Sequence, residues 1–357
     1  MVRSASADAH ALKEINCSSV SLSTLDTLQR PLQSLRLSVT DRCNMRCTYC
    51  MPEEDYKWLP RKDVLHYGEF TSLVELFVEA GVRRIRLTGG EPLLRRDIFR
   101  LVEQLTALNA LEDIALTTNG LRLRDCALDL KRAGLQRVTV SLDTLDEKKF
   151  RALTRRDGLR RVIAGFDSME DAGMKGTKVN TVAMRGFNDE ELGSILSFGI
   201  ERNLEIRFIE YMDVGGATDW KSTQVIPKIE IISILEKQFG AIQALPKTDA
   251  APANRFQLQN GTTFGIIAST TEPFCQSCNR SRITSDGHWF HCLYAVEGTN
   301  LRELLRENRM DELRSLIRSQ WEQRTDCGAE DRLGLAARKA QGEDPDHPHI
   351  GMHVRGG

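Results

Sequence analysis

Residues 35–50 read LRLSVTDRCNMRCTYC and place three cysteines directly after a β-rich run. Cys43, Cys47 and Cys50 follow the spacing C-x3-C-x2-C. Three thiolates on one short loop can bind a metal through soft ligands, but a structural zinc site normally takes four ligands. An iron–sulfur cube that is held by three cysteines keeps one iron open for another ligand. The spacing therefore favours an iron–sulfur centre of this kind.

The surrounding sequence alternates β-rich runs with amphipathic segments. The runs are LRLSVT, RRIRLTG, DIALTTN, RVTVSLD, KVNTVAM and EIRFIEYM. The segments between them, such as FTSLVELFVEAGV, carry apolar residues at helical spacing, and the repetition indicates a parallel sheet. Polar residues stand at the C-terminal end of every run. This favours a barrel, in which all strand ends share one rim that carries the site, over a doubly wound sheet, which concentrates function at one switch point. The sequence thus predicts an α/β fold with a partial (β/α)6 TIM-like barrel and a C-terminal iron–sulfur domain.

The repetition stops near residue 225. The stretch RFQLQNGTTFGIIAST, residues 255–270, predicts a β-hairpin with a turn at Asn260-Gly261. The stretch that ends the chain is polar and predicts irregular structure. We therefore expect a flexible polar leader at 1–30, a barrel at 31–225, a domain with a second iron–sulfur cluster at 226–335, and an irregular tail at 336–357 that ends in Gly-Gly.

A second group of three cysteines has the spacing C-x2-C-x13-C: Cys275, Cys278 and Cys292. A zinc site completed by His288 or His291 is one interpretation, and a second iron–sulfur cube with an open iron is the other. Arg280 and Arg282 are two residues apart on an extended segment, so their side chains point the same way. An arginine fork beside a cluster suits an anionic ligand such as a phosphate or a carboxylate.

Bulk properties restrict the partners and the compartment. The net formal charge of −1 gives no electrostatic reason to expect nucleic acid or an anionic membrane as a partner. No apolar run approaches the roughly 20 residues that span a bilayer. Nine cysteines without a secretory signal argue for a reducing compartment, so we expect a cytoplasmic protein, or a mitochondrial one if the Ser/Ala-rich leader is a transit peptide. Cys17, Cys126 and Cys327 are interpreted as ordinary thiols.

The first cysteine group, placed after a first strand, resembles that of the radical S-adenosylmethionine (SAM) superfamily. The motifs GGEP at residues 89–92, VSLD at 140–143 and KVN at 178–180 match the same superfamily. The resemblance implies a [4Fe-4S] cluster whose open iron chelates SAM, and a one-electron cleavage of SAM to methionine and a 5′-deoxyadenosyl radical. The SAM contacts that it implies are Tyr49, Gly90, Ser141, Asn180 and Met212.

Three further features resemble the GTP 3′,8-cyclase family: FCQSCNRSR at residues 274–282, RFIEYMDVG at 207–215 and the terminal Gly-Gly. The resemblance implies a second [4Fe-4S] cluster whose open iron contacts the guanine end of GTP, and a tail whose glycines enter the active site. In this chain Arg355 stands where that family usually has an apolar residue. The GTP contacts that the resemblance implies are Arg36, Arg86, Thr117, Lys178, Arg207, Arg280 and Arg282.

The resemblance implies a lyase that cyclises GTP to (8S)-3′,8-cyclo-7,8-dihydroguanosine 5′-triphosphate, the first step of molybdenum cofactor biosynthesis. It also implies an electron donor and a downstream cyclic pyranopterin monophosphate synthase as functional partners, and it leaves a homodimer open. One alternative is a peptide-modifying radical SAM enzyme, which would lack the Arg280/Arg282 pair and the terminal Gly-Gly. The other is a non-catalytic, zinc-stabilised interaction protein, which would be colourless and hold stoichiometric zinc.

Overall fold

The computed structural model describes residues 23–214, 220–332 and 351–356, which leaves Cys17 and Gly357 outside, and it centres on a twelve-stranded sheet. The six β-rich runs form parallel strands, each paired with the next along the chain. They are β1 (Ser34–Ser38), β2 (Arg84–Thr88), β3 (Asp113–Thr118), β4 (Arg137–Ser141), β5 (Lys178–Ala183) and β6 (Glu205–Glu210). This strand order confirms the predicted α/β fold. It is the strand order of a partial TIM-like barrel.

Helices between these strands cover the outside of the barrel. They are α1 (Tyr67–Glu79), α2 (Ile98–Thr106), α3 (Leu123–Arg132), α4 (Glu147–Thr154), α5 (Leu159–Asp171) and α6 (Leu192–Glu201). A capping box starts α1, since Nδ1 of His66 accepts from the Glu69 N–H at 3.1 Å while the Glu69 carboxylate accepts from the His66 N–H at 2.7 Å. Cys126 lies in α3 and packs against the core.

The described region after residue 225 contains the predicted hairpin, further short strands and α-helices. Its elements are α7 (Lys228–Phe239), β7 (Gln243–Ala244), β8 (Asn254–Gln257), β9 (Thr263–Ile267), β10 (Arg280–Ile283), β11 (His288–Phe290), β12 (Thr299–Asn300), α8 (Arg302–Arg306) and α9 (Met310–Glu322). β8 and β9 pair antiparallel, and Gly261 adopts a φ of +85° in the turn between them. This confirms the hairpin and its turn.

Two strands of this C-terminal region extend the parallel part of the barrel sheet. β9 lies parallel beside β6, and β10 lies parallel beside β1 with Arg282 level with Arg36. The parallel part therefore has eight strands, two more than the periodicity predicts. Periodicity indicates strands that follow one another along the chain, whereas these two edge pairings join distant segments. Because Cys275 and Cys278 lie between β9 and β10, the second cysteine group is attached directly to the barrel wall.

The barrel wall alternates apolar and polar side chains. The outward positions of β1 and β2 are fully buried in the hydrophobic core: Leu35, Leu37, Ile85 and Leu87. The positions between them carry serine, arginine and threonine: Ser34, Arg36, Ser38, Arg86 and Thr88 face inward, while Arg84 at the start of β2 is exposed. TIM barrels usually fill their interior with bulky apolar residues. The polar inward face therefore lines a chamber rather than a packed core.

Candidate active site

The first cysteine group lies in the loop after β1, at the carboxyl ends of the parallel strands. The Cys50 N–H donates to the Cys47 carbonyl at 2.9 Å, and the Cys43 sulfur accepts from the Met45 N–H at 3.4 Å. Burial raises the pKa of Cys43 to about 11 and that of Cys50 to about 12. Thiols in such surroundings stay neutral unless a cation balances the thiolate charge, which iron would do.

Gly89 and Gly90 let this cysteine loop approach the end of β2. The Gly90 N–H donates to the Thr40 carbonyl at 2.8 Å, and a Cβ on Gly90 would lie 2.3 Å from the Arg42 carbonyl oxygen. No side chain fits at that distance, so glycine is required there. The glycine pair thus permits the cysteine loop to approach β2 closely. The contact of Gly90 with SAM stays a prediction.

The other predicted SAM residues surround the same end of the chamber. The Tyr49 hydroxyl donates to the Asp143 carboxylate at 2.8 Å. Ser141 ends β4 and is level with Asn180 on β5, while Met212 follows β6. Within the described ranges, Oδ1 of Asn180 is buried and has no hydrogen-bond partner. A buried carbonyl of this kind needs a donor, which a bound ligand can supply.

The second cysteine group lies at the opposite, amino end of the parallel strands. Cys278 precedes β10, whose first residue Arg280 is level with Ser34 at the start of β1. Six residues of strand, roughly 20 Å, separate the level of Cys278 from the carboxyl end of β1. Cys292 returns to the same end because β11 runs antiparallel to β10. The polar residues that end each strand therefore lie near the first cysteine group only. The second cysteine group lies at the other end of the barrel.

Arginines dominate the surroundings of the second cysteine group. Nη2 of Arg280 donates to the Cys278 sulfur at 3.5 Å, and the Arg280 guanidinium lies 4.7 Å from the ring of Phe274. Burial raises the pKa of Cys278, but the charges of Arg280 and Arg324 outweigh burial and lower it to about 7. The thiolate form, which is the form that binds iron, is therefore favoured at this position.

Of the two histidines that a zinc site would need, His288 is engaged by a carboxylate, whereas Nε2 of His291 is buried and has no hydrogen-bond partner among the described residues. Nδ1 of His288 lies 3.1 Å from the Asp286 carboxylate, and the His291 ring packs 4.3 Å from Trp289 and 5.9 Å from Trp321. Among the residues that the structure describes, no three His, Cys, Asp or Glu side chains are arranged to hold a single metal ion. A cube attaches each thiolate to a different iron, so it does not need that convergence. The geometry favours a cluster over zinc.

A buried ion network supports the loop of the second cysteine group. Asp26 lies 2.5 Å from Arg30 and 3.7 Å from Arg324, and all three side chains are almost completely buried. Arg30 donates to the Cys275 carbonyl at 3.0 Å, and Arg324 donates to the Cys278 carbonyl at 2.9 Å. The segment that precedes the barrel and the residue Arg324 after α9 are therefore joined through Asp26, and together they fix the backbone of two of the three cysteines.

Three of the predicted GTP residues form an arginine belt between the two cysteine groups: Arg36, Arg86 and Arg282. They are level with one another on the neighbouring strands β10, β1 and β2. Burial, followed by the charges of neighbouring arginines, lowers the pKa of Arg86 to about 9 and that of Arg282 to about 10. In the described part of the chain none of the three pairs with a carboxylate. Buried like charges without counter-ions favour the binding of an anion.

The remaining predicted GTP residues line the same chamber. Lys178 lies on the inward face of β5 and Arg207 on that of β6. Oε1 of Glu205 lies 3.2 Å from Nζ of Lys178 and 2.7 Å from Nε of Arg207. Burial, with the charge of Arg207, lowers the pKa of Lys178 to about 8. Thr117 lies on the inward face of β3, level with Thr139. Lys178 is the first residue of β5, so this pair lies in the amino half of the barrel, towards the second cysteine group.

The tail segment, residues 351–356, enters the chamber. Nη1 of Arg282 donates to the Gly356 carbonyl at 2.5 Å. Gly356 adopts a φ of +70°, and a Cβ on it would lie 2.4 Å from Cγ2 of Thr88 on the inward face of β2. Near the other cysteine group, the backbone N–H of His353 lies close enough to the Cys50 sulfur to offset part of the rise that burial causes in the pKa of that thiol. The tail segment therefore lies against both the arginine belt and the first cysteine loop.

Two family models match the chain, one of the radical SAM superfamily over residues 37–199 and one described as Molybdenum Cofactor Synthesis C over residues 204–329. GTP 3′,8-cyclase 1 of Mycobacterium tuberculosis (strain ATCC 25618 / H37Rv) is 49% identical over 346 residues, which cover 93% of this chain and 95% of that protein. GTP 3′,8-cyclase of Staphylococcus aureus (strain Mu3 / ATCC 700698) is 37% identical, with 91% and 98% covered. The chain belongs to the GTP 3′,8-cyclase family.

Solved structures share the fold of this cyclase-family chain. SuiB of Streptococcus suis bound to S-adenosylmethionine aligns with a TM-score of 0.57 at 19% identity, over 81% of this chain and 68% of SuiB. Native anSMEcpe with bound AdoMet aligns with a TM-score of 0.52 at 17% identity, over 79% and 82%. As a member of a radical SAM family, the chain uses SAM and an iron–sulfur centre. Among its described helices, none has the length and apolarity that crossing a bilayer requires.

Two buried carboxylates at the site of this GTP 3′,8-cyclase family member were not among the predicted site residues. Glu91 accepts from the Thr118 hydroxyl at 2.8 Å and from the Asn119 N–H at 2.7 Å, and burial raises its pKa to about 7. Asp143 accepts from Tyr49 and from a backbone N–H of β5 at 2.7 Å, and burial raises its pKa to about 6. Both residues belong to the GGEP and VSLD motifs, but a motif does not show that its carboxylate is buried.

Proposed function

We propose that this chain is a GTP 3′,8-cyclase that catalyses the first step of molybdenum cofactor biosynthesis. The observation that carries the proposal is the arginine belt, which has no carboxylate partner among the residues that the structure describes and lies between two groups of three cysteines. GTP carries about four negative charges, and a protein with a net charge of −1 must balance them locally. The M. tuberculosis relative, 49% identical, is named for this activity.

The first cysteine group would hold a [4Fe-4S] cluster with SAM bound against its open iron. Bound there, the cluster and SAM would supply a one-electron cleavage of SAM to methionine and a 5′-deoxyadenosyl radical, which becomes 5′-deoxyadenosine when it takes a hydrogen atom from the substrate. The protein orients SAM and excludes water. The unpartnered carbonyl of Asn180 supports a donor-bearing ligand at this end of the chamber. The remaining SAM contacts in this proposal are Tyr49, Gly90, Ser141 and Met212.

The second cysteine group would hold a further [4Fe-4S] cluster against the guanine end of GTP. The lowered pKa of Cys278 supports a thiolate ligand, and the neighbouring arginines support an anionic substrate. Each charge-assisted hydrogen bond contributes about 1.5–3 kcal/mol, so several are needed for micromolar affinity once the costs of binding are included. The GTP contacts in this proposal are Arg36, Arg86, Thr117, Lys178, Arg207, Arg280 and Arg282.

Cyclisation requires the ribose C3′ to lie near C8 of guanine, which is a task of proximity. A chamber that holds GTP at both ends serves that task. One hydrogen atom leaves C3′ for 5′-deoxyadenosine, and the C3′–C8 bond forms. One electron and one proton then complete the product, which is an isomer of GTP. An electron donor must therefore supply two electrons per turnover, and a cyclic pyranopterin monophosphate synthase would consume the product.

Anaerobic incubation of the reconstituted, full-length protein with GTP, SAM and dithionite tests this proposal. We expect 5′-deoxyadenosine and a GTP isomer that elutes apart from GTP and does not release free guanine on fragmentation, because a C–C bond joins base and sugar. Cys47→Ser should abolish the formation of both products. A protein that cleaves SAM and returns GTP unchanged would instead support the peptide-modifying alternative.

A further inference from the structure

The tail segment contacts the loops of both cysteine groups. The backbone N–H of His353 lies close to the Cys50 sulfur in the first group. Two residues later, the Arg355 guanidinium donates to the Leu293 carbonyl, which is next to Cys292 in the second group. A few residues of chain therefore connect the two cysteine loops through the chamber.

Arg355 is buried in a way that is rare for arginine. Its residual exposure is 5%, and no carboxylate among the described residues pairs with it. The guanidinium lies 5.2 Å from the ring of Phe290, at the end of β11, and Nε has no hydrogen-bond partner in the described ranges. A buried cation is costly unless it is stacked and hydrogen-bonded. The contacts with Phe290 and Leu293 are therefore what keeps Arg355 in place.

A second arginine fixes the same part of the tail from the opposite side. Nη1 of Arg282 donates to the Arg355 carbonyl at 3.3 Å and to the Gly356 carbonyl at 2.5 Å. Arg282 belongs to the arginine belt. The position of Arg355 on the Leu293 carbonyl consequently determines how the Gly356 backbone lies against the belt.

We propose that Arg355 is a positioning residue, which docks the tail segment on the Cys292 loop and so makes the placement of the tail in the chamber depend on that loop. Arg355 acts through Leu293 and through the tail backbone, without touching reacting atoms. Its consequence for catalysis rests on the proposed function: the docked tail lies against the arginine belt that binds GTP, and GTP binding weakens when the tail is released.

Hydrogen–deuterium exchange of the tail segment in the reconstituted, full-length protein tests the docking without using GTP. In Arg355→Ala we expect about tenfold faster exchange over residues 351–356, because a charge-assisted hydrogen bond and a stacking contact are lost. Arg355→Lys should restore protection partly, since it keeps the charge without the planar fork. Arg96→Ala is the matched control, because the Arg96 side chain is 94% exposed, and it should leave the exchange unchanged. Unchanged exchange in Arg355→Ala would overturn the proposal.

A double-mutant cycle tests the dependence on the Cys292 loop. Cys292→Ser should release the tail as Arg355→Ala does, and the two changes together should release it no further. Additive effects on exchange would refute the coupling. If Cys292→Ser does not fold, the cycle is replaced by a comparison of the single variants Arg355→Met and Arg355→Ala. The methionine side chain is long but cannot donate to Leu293, so it must release the tail as alanine does, and a protected tail in Arg355→Met would contradict the docking role.

GTP kinetics provide the functional readout. Arg355→Ala should raise the KM for GTP about tenfold while kcat changes less than about twofold, whereas a merely destabilised fold would lower kcat and the melting temperature together. A faster-exchanging tail with an unchanged KM would overturn the role in substrate binding. If the unmodified protein forms no cyclised product at all, the proposed function fails, and the exchange experiment still decides the docking.

Discussion

Single arginines on the inward barrel face determine which ligand the chamber can bind. On β2, Arg86 points inward and belongs to the arginine belt, whereas Arg84 begins the strand with a side chain that is 48% exposed and lies 4.0 Å from Glu112. Exposed pairs of this kind contribute little to stability. One strand thus carries a buried belt arginine and a surface arginine, and comparing the two separates the role of the belt from the effect of a lost charge.

Arg86→Ala should weaken GTP binding about tenfold to a hundredfold, because one charge-assisted hydrogen bond is lost from a buried site. Arg84→Ala should leave GTP binding within about twofold. Anaerobic equilibrium titration of GTP onto the two reconstituted variants measures both changes. Equal losses in the two variants would show that the total charge, and not the belt, governs binding.

Lys178 gives GTP binding a pH dependence. Burial lowers the pKa of Lys178 to about 8, so the ammonium is charged below that pH and becomes neutral above it. The dissociation constant for GTP should therefore rise by up to about tenfold between pH 7 and pH 9. Lys178→Arg should reduce this rise to the part near pH 9 that comes from Arg86, whose pKa burial lowers to about 9. A slope that stays undiminished in Lys178→Arg would assign the titration to another group.

At the scale of elements, the loop after β1 and the turn after β2 pack backbone against backbone at Gly90. Gly90→Ala should lower the free energy of unfolding by about 1–3 kcal/mol and reduce the iron content, because a Cβ there would meet the Arg42 carbonyl at 2.3 Å. Gly68→Ala, in the first turn of α1, is the control, since the nearest contact of its Cβ would be an ordinary 3.4 Å. Urea unfolding and iron analysis measure both effects, and equal behaviour of the two variants would contradict this packing argument.

The segment before β1 is predicted to hold the second cysteine loop through the Asp26 network. Asp26→Ala leaves Arg30 buried without its counter-ion and leaves Arg324 with Asp326 as its only carboxylate partner among the described residues, which should lower the free energy of unfolding by about 3–5 kcal/mol. Asp311→Ala is the matched control: Asp311 lies 2.6 Å from Arg314 on the surface, and its loss should change stability by less than about 1 kcal/mol. Chemical unfolding compares the two variants. A stability loss in Asp26→Ala no larger than that of the control would remove the supporting role of the network.

At the scale of the whole molecule, the C-terminal region completes the wall of the barrel. β10 places Arg282 beside Arg36, so the belt exists only when segments about 250 residues apart in sequence pair with each other. The tail segment then enters the chamber that this pairing creates. The two cysteine groups are thereby brought to opposite ends of one shared interior, which is the arrangement that a substrate held at both ends requires.

Local pattern was sufficient to predict the six parallel strands and the hairpin turn at Asn260-Gly261, because strand periodicity and turn residues lie in consecutive sequence. The role of both cysteine groups as cluster ligands stays a prediction from their spacing. The edge pairings of β9 and β10 were missed because they join distant segments. Glu91 and Asp143 were missed for a related reason: whether a carboxylate is buried depends on what packs around it in the folded chain.

The most direct test of the central claim follows the 3′ hydrogen of GTP. GTP deuterated at C3′ is incubated anaerobically with SAM, dithionite and the reconstituted protein, and both products are quantified by mass spectrometry. The chamber geometry predicts one deuterium in each 5′-deoxyadenosine, in an amount equal to the cyclised nucleotide. If 5′-deoxyadenosine forms without deuterium while GTP keeps its label, the substrate held between the two cysteine groups is not GTP.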